Sequence, residues 1–288
     1  MHFVNAKGIL SAHNGMNRYR GCTHGCIYCD SRSTCYQMKH DFEDIEVKQN
    51  APELLEDALR RKRSKCMIGT GAMCDPYMHC EEKLGLTRRC LEIIDKYQFG
   101  VALQTKSDLV LRDLDILKRI NKHSKAVVQM TLTTYDENLC KIVEPNVCTT
   151  KRRYEVLKML QQEGIPTIVW FTPILPYIND TVENVRGILN YCFDAGVKGI
   201  LTFGDGGMTL RDGDREYYYS ALDRHFPGLK NIYIKKFGLN YEIPSDKGTY
   251  LMSIVRNECK SHGVMFNQNE IFTYMHEYPK KFEQLSLF

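Results

Sequence analysis

The chain has 288 residues, 43% of them hydrophobic, and 39 Lys and Arg against 35 Asp and Glu give a formal net charge of +4. That length can bury one large core or two smaller ones, and the mild positive balance permits an anionic partner without requiring one. No apolar run reaches the roughly 20 residues that a membrane span needs, and Met1-His2-Phe3-Val4-Asn5-Ala6-Lys7 lacks the basic-then-apolar layout of an export signal.

In chain order, residues 1–21 read as an irregular lead-in with a short strand near Met16-Asn17-Arg18-Tyr19. Arg20-Gly21-Cys22-Thr23-His24-Gly25-Cys26-Ile27-Tyr28-Cys29 then sets three thiols within eight residues, with glycines that let the backbone wrap. The other nine of the twelve cysteines are scattered without a repeated spacing. Together with the missing export signal, this predicts free thiols in a reducing cytoplasm rather than a disulfide framework. Residues 30–50 carry mixed charge and little periodicity, and predict a long loop. A helix is predicted over Pro52–Arg63, with Glu53, Glu56 and Asp57 early, Leu54, Leu55, Ala58 and Leu59 on one face, and cations late. The basic run Arg60-Arg61-Lys62-Arg63-Ser64-Lys65 lies at that helix end and lacks the interleaved aromatics of a base-stacking platform, so it reads as a solvated face.

Cys66-Met67-Ile68 is a short strand that runs into Gly69-Thr70-Gly71-Ala72-Met73-Cys74-Asp75-Pro76. From there the alternation is regular: a helix over 81–97, strand 100–105, helix 108–121, strand 126–132, helix 150–163, strand 165–171, helix 180–195, strand 197–203 and helix 214–225. Short apolar strands between amphipathic helices that close at glycine predict roughly six β-α units around a parallel sheet. The periodicity fits an open, partial barrel and a doubly wound sheet equally. Residues 231–288 hold a strand-like Ile232-Tyr233-Ile234, a helix near 248–262 and a Phe/Tyr-rich tail. No linker separates this part, so it is expected to pack on the same domain.

In a parallel β-α fold the ligand-facing loops leave the C-terminal ends of the strands. The cysteine loop, Gly69-Thr70-Gly71 with Asp75, Gln104-Thr105-Lys106-Ser107, Thr131-Leu132-Thr133-Thr134, Thr172-Pro173 and Phe203-Gly204-Asp205 all fall there. Three readings compete for the cysteines. Structural zinc wants four ligands, so His24 or Cys35 must complete the set. A CxxC redox pair at Cys26 and Cys29 leaves Cys22 unexplained. An iron-sulfur cluster on three thiolates uses all three and leaves one iron open for a ligand from outside the protein.

Cys22-x3-Cys26-x-Tyr28-Cys29 resembles the signature of the radical S-adenosylmethionine (SAM) enzymes. Asn17-Arg18-Tyr19-Arg20-Gly21, Cys74-Asp75-Pro76-Tyr77 with Glu81 and Leu86-Thr87-Arg88-Arg89, and Thr105-Lys106-Ser107 with Arg112-Asp113 extend the likeness to the subfamily related to spore photoproduct lyase. Glu144-Pro145 with Arg152-Arg153, and Pro173-Ile174-Leu175-Pro176 with Asn179-Asp180, continue it. The resemblance implies an α/β fold with a partial (β/α)6, TIM-like barrel over residues 1–235 and a C-terminal extension over 236–288. It implies a [4Fe-4S] cluster on Cys22, Cys26 and Cys29, SAM as second cofactor, and an electron donor such as a flavodoxin or ferredoxin.

By the same resemblance Tyr28 lies against the cluster and the adenine of SAM, and Gly69, Thr70 and Gly71 meet its amino group. Thr131 and Thr133 approach the ribose or carboxylate, Arg153 pairs with the carboxylate, and Glu144 is a further polar candidate. Cys74 stands slightly after the position of a hydrogen-returning cysteine in the lyase, with an inert packing cysteine as the plain alternative. The implied activity is reductive SAM cleavage to a 5′-deoxyadenosyl radical that abstracts a substrate hydrogen, in lyase or repair chemistry on a nucleic acid. Modification of a peptide or small molecule is the alternative within that class. A zinc-stabilised nucleic-acid binding module without catalysis is the alternative outside it.

Overall fold

The structure, a computed structural model, describes residues 1–279. The end of the Phe/Tyr-rich tail, residues 280–288, lies outside the described residues. The chain opens with β1 (His2–Val4), β2 (Gly15–Met16) and β3 (Tyr19–Arg20). After the cysteine loop come β4 (Glu46–Lys48), α1 (Ala51–Arg61), β5 (Met67–Thr70), α2 (Glu81–Leu84) and α3 (Leu86–Lys96). The alternation continues with β6 (Gly100–Thr105), α4 (Leu114–His123), β7 (Ala126–Thr131), α5 (Glu137–Val143), α6 (Thr150–Gln162), β8 (Thr167–Trp170), α7 (Val182–Asp194) and β9 (Gly199–Leu201). The chain finishes with β10 (Gly207–Thr209), α8 (Asp214–His225), α9 (Leu229–Phe237), β11 (Glu242–Pro244), α10 (Gly248–His262) and α11 (Gln268–His276).

Six parallel strands run in the order β2-β5-β6-β7-β8-β9, with β2 and β9 as the edges of the sheet. This is the partial (β/α)6 barrel. Every residue of β7 is buried, and β6 is nearly so, because helices cover one face of these strands and further chain fills the other. The helix side carries Ile68, Val101, Leu103, Val128, Met130, Val169 and Ile200, packed under α1, α3, α4, α6, α7 and α10. The concave side carries Met67, Ala102, Val127, Ile168 and Leu201, which pack against Ile271 and Met275 of α11. The strand period of two places Gly69, Gln104, Gln129 and Trp170 in the next layer toward the strand C-termini. There Trp170 Nε1 donates to Gln129 Oε1 at 2.8 Å, and Phe203 packs on the indole with centroids 5.6 Å apart. The C-terminal helix therefore plugs one end of the barrel and the aromatic layer floors the other.

Several sequence expectations change. Ile232-Tyr233-Ile234 is part of α9 rather than a strand: Tyr233 and Phe237, four apart, are buried, while Ile232 and Ile234 face outward. The 30–50 loop contains β4, which joins β1 and β3 in a small separate sheet. The helix expected over 81–97 breaks at Gly85, whose φ of +59° starts α3 afresh, and the one over 108–121 begins as a 3-10 turn at Asp108–Asp113. The antiparallel pair of β10 and β11 was not legible in the sequence. With α8 and α9 it forms a second core, packed on Ile27 of the cysteine loop and Val143 of α5.

Candidate functional site

The cysteine loop is held from both sides. Gly21 has a φ of +87°, and a Cβ there would fall 2.4 Å from the Phe42 carbonyl oxygen, which accepts from Cys22 N at 3.0 Å. On the far side Ile27 N donates to Val143 O at 3.0 Å, and Asn146 N donates to His24 O at 3.1 Å. These clamps set Cys22, Cys26 and Cys29 on a cavity of about 100 Å³, shared with Cys74, Lys106 and Thr131. Burial raises all three thiols, Cys26 to about 12. Thiols so desolvated become thiolates when a metal centre supplies the compensating charge. Among the described residues, the set of three His, Cys, Asp or Glu donors lying within 4.8 Å of one another is His2, His40 and Asp44. The three loop sulfurs are not in that set, so they do not all lie within 4.8 Å of one another.

The opposite lip is built on Asp75. Its carboxylate accepts from Tyr77 N at 2.8 Å, Thr105 Oγ1 at 2.7 Å and Lys106 N at 2.7 Å, with His24 Nδ1 at 3.6 Å. Burial keeps His24 neutral, lowering it to about 4 against the pull of Asp75. Of Gly69-Thr70-Gly71, Gly71 lines the cavity; with φ +103° and Gln104 O only 2.1 Å from where a Cβ would be, no other residue fits. Thr70 turns to the helix side and accepts from Arg18 Nη2 at 3.2 Å. Gly69 has nothing within 4 Å of its would-be Cβ.

Lys106, for which the sequence reading gave no role, lies two residues beyond Gln104, in phase with the concave face. Its ammonium makes no hydrogen bond or ion pair among the described residues and sits 5.8 Å from the Tyr28 ring centroid. Burial opposes its charge, but Cys26 and Glu144 outweigh that and raise it. A strand-phase count from Ala102 through Gln104 was the signal available to find it.

Arg153 and Glu144 are placed differently from the expectation. Both are fully buried and pair with each other. Arg153 Nε also donates to Cys148 O at 3.0 Å, Nη1 to Thr131 O at 2.7 Å and Nη2 to Cys140 Sγ at 3.1 Å. Every guanidinium nitrogen is thus engaged by protein, and none is turned free toward the cavity. Glu144 further accepts from Tyr28 Oη and from Thr133 Oγ1, the latter at 3.0 Å. Burial alone would raise Glu144, yet Arg153 and then Lys106 bring it down to about 2. Tyr28 Oη also lies 3.0 Å from Thr133 Oγ1, which fixes the ring beside the cysteines. Thr131 reaches the cavity, whereas Thr133 is fully buried in this network. Cys74 lines the cavity and donates to Tyr19 O at 2.9 Å; burial raises it to about 11, with Arg18 opposing.

Beyond the cysteines the cavity opens into a cleft of about 560 Å³. Its walls include Tyr28, Lys106, Trp170, Phe203 and, from the side of the β10–β11 pair, Met208 and Tyr241.

A partial barrel with two buried thiols and a half-buried third at its mouth, a glycine that admits a close ligand and a cation without a hydrogen bond or ion pair among the described residues is the framework of a cluster- and cofactor-dependent enzyme. A family model for the Radical SAM superfamily matches residues 16–192, a span that holds the three thiols, Gly71, Lys106 and the strands from β5 to β8, and the chain belongs to that superfamily. Its cofactors are accordingly a [4Fe-4S] cluster and SAM. The uncharacterized protein MJ0683 of Methanocaldococcus jannaschii is 34% identical over 186 residues, covering 64% of this chain and 68% of that protein. Rv2578c of Mycobacterium tuberculosis, also uncharacterized, is 28% identical over 226 residues, 76% of this chain and 65% of its own. Among solved structures, a cysteine-to-serine mutant of spore photoproduct lyase superposes with a TM-score of 0.63 at 12% identity, covering 92% of this chain and 78% of that one. A further mutant of that lyase, with bound AdoMet and dinucleoside spore photoproduct, gives 0.62 at 13% identity over 88% and 75%. At such identities the likeness is one of fold.

Proposed function

We propose that the protein cleaves SAM reductively and directs the resulting radical to a nucleic-acid lesion held in the cleft over Trp170 and Phe203. The observation that carries this reading is the continuity of the three-cysteine cavity with an aromatic-floored cleft of about 560 Å³. When bound, the cluster and SAM supply an electron and a 5′-deoxyadenosyl radical; the protein's share is binding, orientation and exclusion of water. Cys22, Cys26 and Cys29 would hold the cluster. Lys106 and Thr131 would take the SAM carboxylate, Gly71 would admit its amino group, and Tyr28, fixed by Thr133 and Glu144, would lie against the adenine. Trp170 and Phe203 offer ring faces on which a base can stack. The β10–β11 pair would form one side of the cleft. Burial holds the Cys74 proton on sulfur, the state that a hydrogen-atom donor to a product radical needs.

The electron would come from a low-potential carrier of the flavodoxin or ferredoxin type. Twelve free cysteines suit a reducing cytoplasm, and no helix among the described residues is long and apolar enough to cross a membrane. Support for a nucleic-acid substrate comes from the fold shared with a lyase that binds a dinucleoside photoproduct. A second reading, modification of a peptide or small molecule, is favoured by one feature: Asp30, Asp205 and Glu242 line the cleft against the single cation Lys106, which disfavours a polyanion.

The discriminating experiment incubates anaerobically reconstituted, reduced protein and SAM with an ultraviolet-irradiated oligonucleotide or its undamaged twin. The nucleic-acid reading predicts at least tenfold faster 5′-deoxyadenosine release and loss of the lesion with irradiated DNA. Equal, slow release with both, accelerated instead by a peptide or metabolite fraction, selects the second reading.

A further inference from the structure

A separate group of donors lies outside the barrel, in the small sheet. His2 of β1 and Glu46 of β4 are register partners across parallel strands, and His40 and Asp44 come from the loop that leads into β4. One donor atom each from His2, His40 and Asp44 lie within 4.8 Å of one another. His2 Nδ1 is 2.9 Å from Asp44 Oδ2, whose other oxygen takes the Met1 amino group at 2.5 Å. Glu46 Oε2 is 4.0 Å from His2 Nε2 and 3.9 Å from His40 Nε2. The two imidazoles meet edge to face with centroids 4.8 Å apart.

The state of His40 is set by its neighbours. Its Nδ1 is 3.0 Å from the Asp41 carbonyl oxygen. A carbonyl only accepts, so in the neutral ring Nδ1 carries the proton and Nε2 keeps its lone pair. That Nε2 is withdrawn from solvent and has no hydrogen-bond partner. Leaving a buried acceptor unpaired costs free energy. A metal-bound imidazole characteristically donates its other N–H to a carbonyl or carboxylate, the arrangement His40 already has.

We propose that His2, His40 and Asp44, with Glu46 beside them, bind one divalent first-row transition-metal cation, separate from the cysteine-held cluster. Two imidazoles and a carboxylate are a donor set for zinc or ferrous iron. Metal–ligand bonds of about 2.0–2.2 Å require these donors to draw in by about 1 Å, an adjustment open to side chains at a surface. The cation would tie β1 to the loop whose Phe42 carbonyl seats Cys22, so it would brace the first cluster ligand from outside.

The test uses cluster-loaded protein passed over a chelating resin and titrated anaerobically with zinc chloride, with bound zinc and iron both counted. The site predicts one zinc per chain in addition to the cluster iron, and a higher unfolding midpoint with zinc than without. His40→Gln and Asp44→Asn should each weaken zinc binding at least tenfold and abolish the midpoint shift, with cluster iron unchanged as the sign of an intact fold. No stoichiometric zinc in the wild type overturns the proposal. So does equal uptake by the wild type and His40→Gln, which would put the zinc on cysteines.

Discussion

The two walls of the barrel mouth both bury polar side chains, but they differ in what those side chains are bonded to. On the wall formed by α5, α6 and the end of β7, Tyr28, Thr133, Glu144 and Arg153 close on one another and on backbone carbonyls. On the wall formed by the cysteine loop and the ends of β5 and β6, Cys22, Cys26, Cys29 and Lys106 line the cavity, and the Lys106 ammonium makes no hydrogen bond or ion pair among the described residues. A closed polar network fixes shape; an open one waits for a ligand to complete it. The first wall therefore holds Tyr28 in place, and the second is where the proposed function puts cluster and cofactor.

Substitutions on the two walls should separate along that line. The largest effect is expected from Cys26→Ala, which should eliminate cluster iron and SAM cleavage together; iron analysis and 5′-deoxyadenosine release measure both, and retained cleavage contradicts the assignment. Next comes Arg153→Met on the closed wall. It leaves Glu144 buried without its counter-ion, and should cost about 3–5 kcal/mol of stability in urea titrations at pH 7. The pair also sets an acid limb. Glu144 has a folded pKa of about 2 against roughly 4.3 unfolded, so its contribution is complete above the unfolded value and lost as pH falls toward 2. Wild-type urea midpoints should fall across that window, and those of Arg153→Met should be flatter.

Lys106→Met tests the open wall. It should weaken SAM binding about 10- to 100-fold, the worth of a charge-assisted hydrogen bond, while the urea midpoint and cluster iron stay unchanged. A drop in stability with SAM affinity intact would make Lys106 part of the closed network instead. Cys74→Ala should have the smallest effect on the site itself, sparing cluster and SAM cleavage while slowing completion of the substrate reaction. Loss of iron in that variant would mark Cys74 as a ligand.

Much of this organisation was legible in the sequence. The alternation of apolar strands with helices closing at Gly164 and Gly196 gave the parallel sheet, and the density of thiols from Cys22 to Cys29 marked the mouth. Pairing was harder to read. Arg153 and Glu144 each fit a cofactor role in isolation, and only the turn between α5 and α6 shows that they neutralise each other. Ile232-Tyr233-Ile234 is too short for composition to separate strand from helix, and Tyr233 with Phe237 decides it by burial. The plug of α11 rests on Ile271 and Met275, with Phe272 and Tyr274 packed beside them, a pattern whose meaning depends on the barrel it enters. Thr70 needed the strand's phase, not its chemistry, to be assigned to the helix side.

The central claim is that the open wall holds a cluster with one iron left for SAM. Electron paramagnetic resonance of the anaerobically reduced, reconstituted protein with and without SAM tests it most directly. The account predicts a [4Fe-4S]+ signal that changes shape when SAM is added to the wild type, requires tenfold or more SAM to do so in Lys106→Met, and is absent from Cys26→Ala. A cluster signal indifferent to saturating SAM, or colourless protein carrying stoichiometric zinc on the cysteine loop, would contradict it.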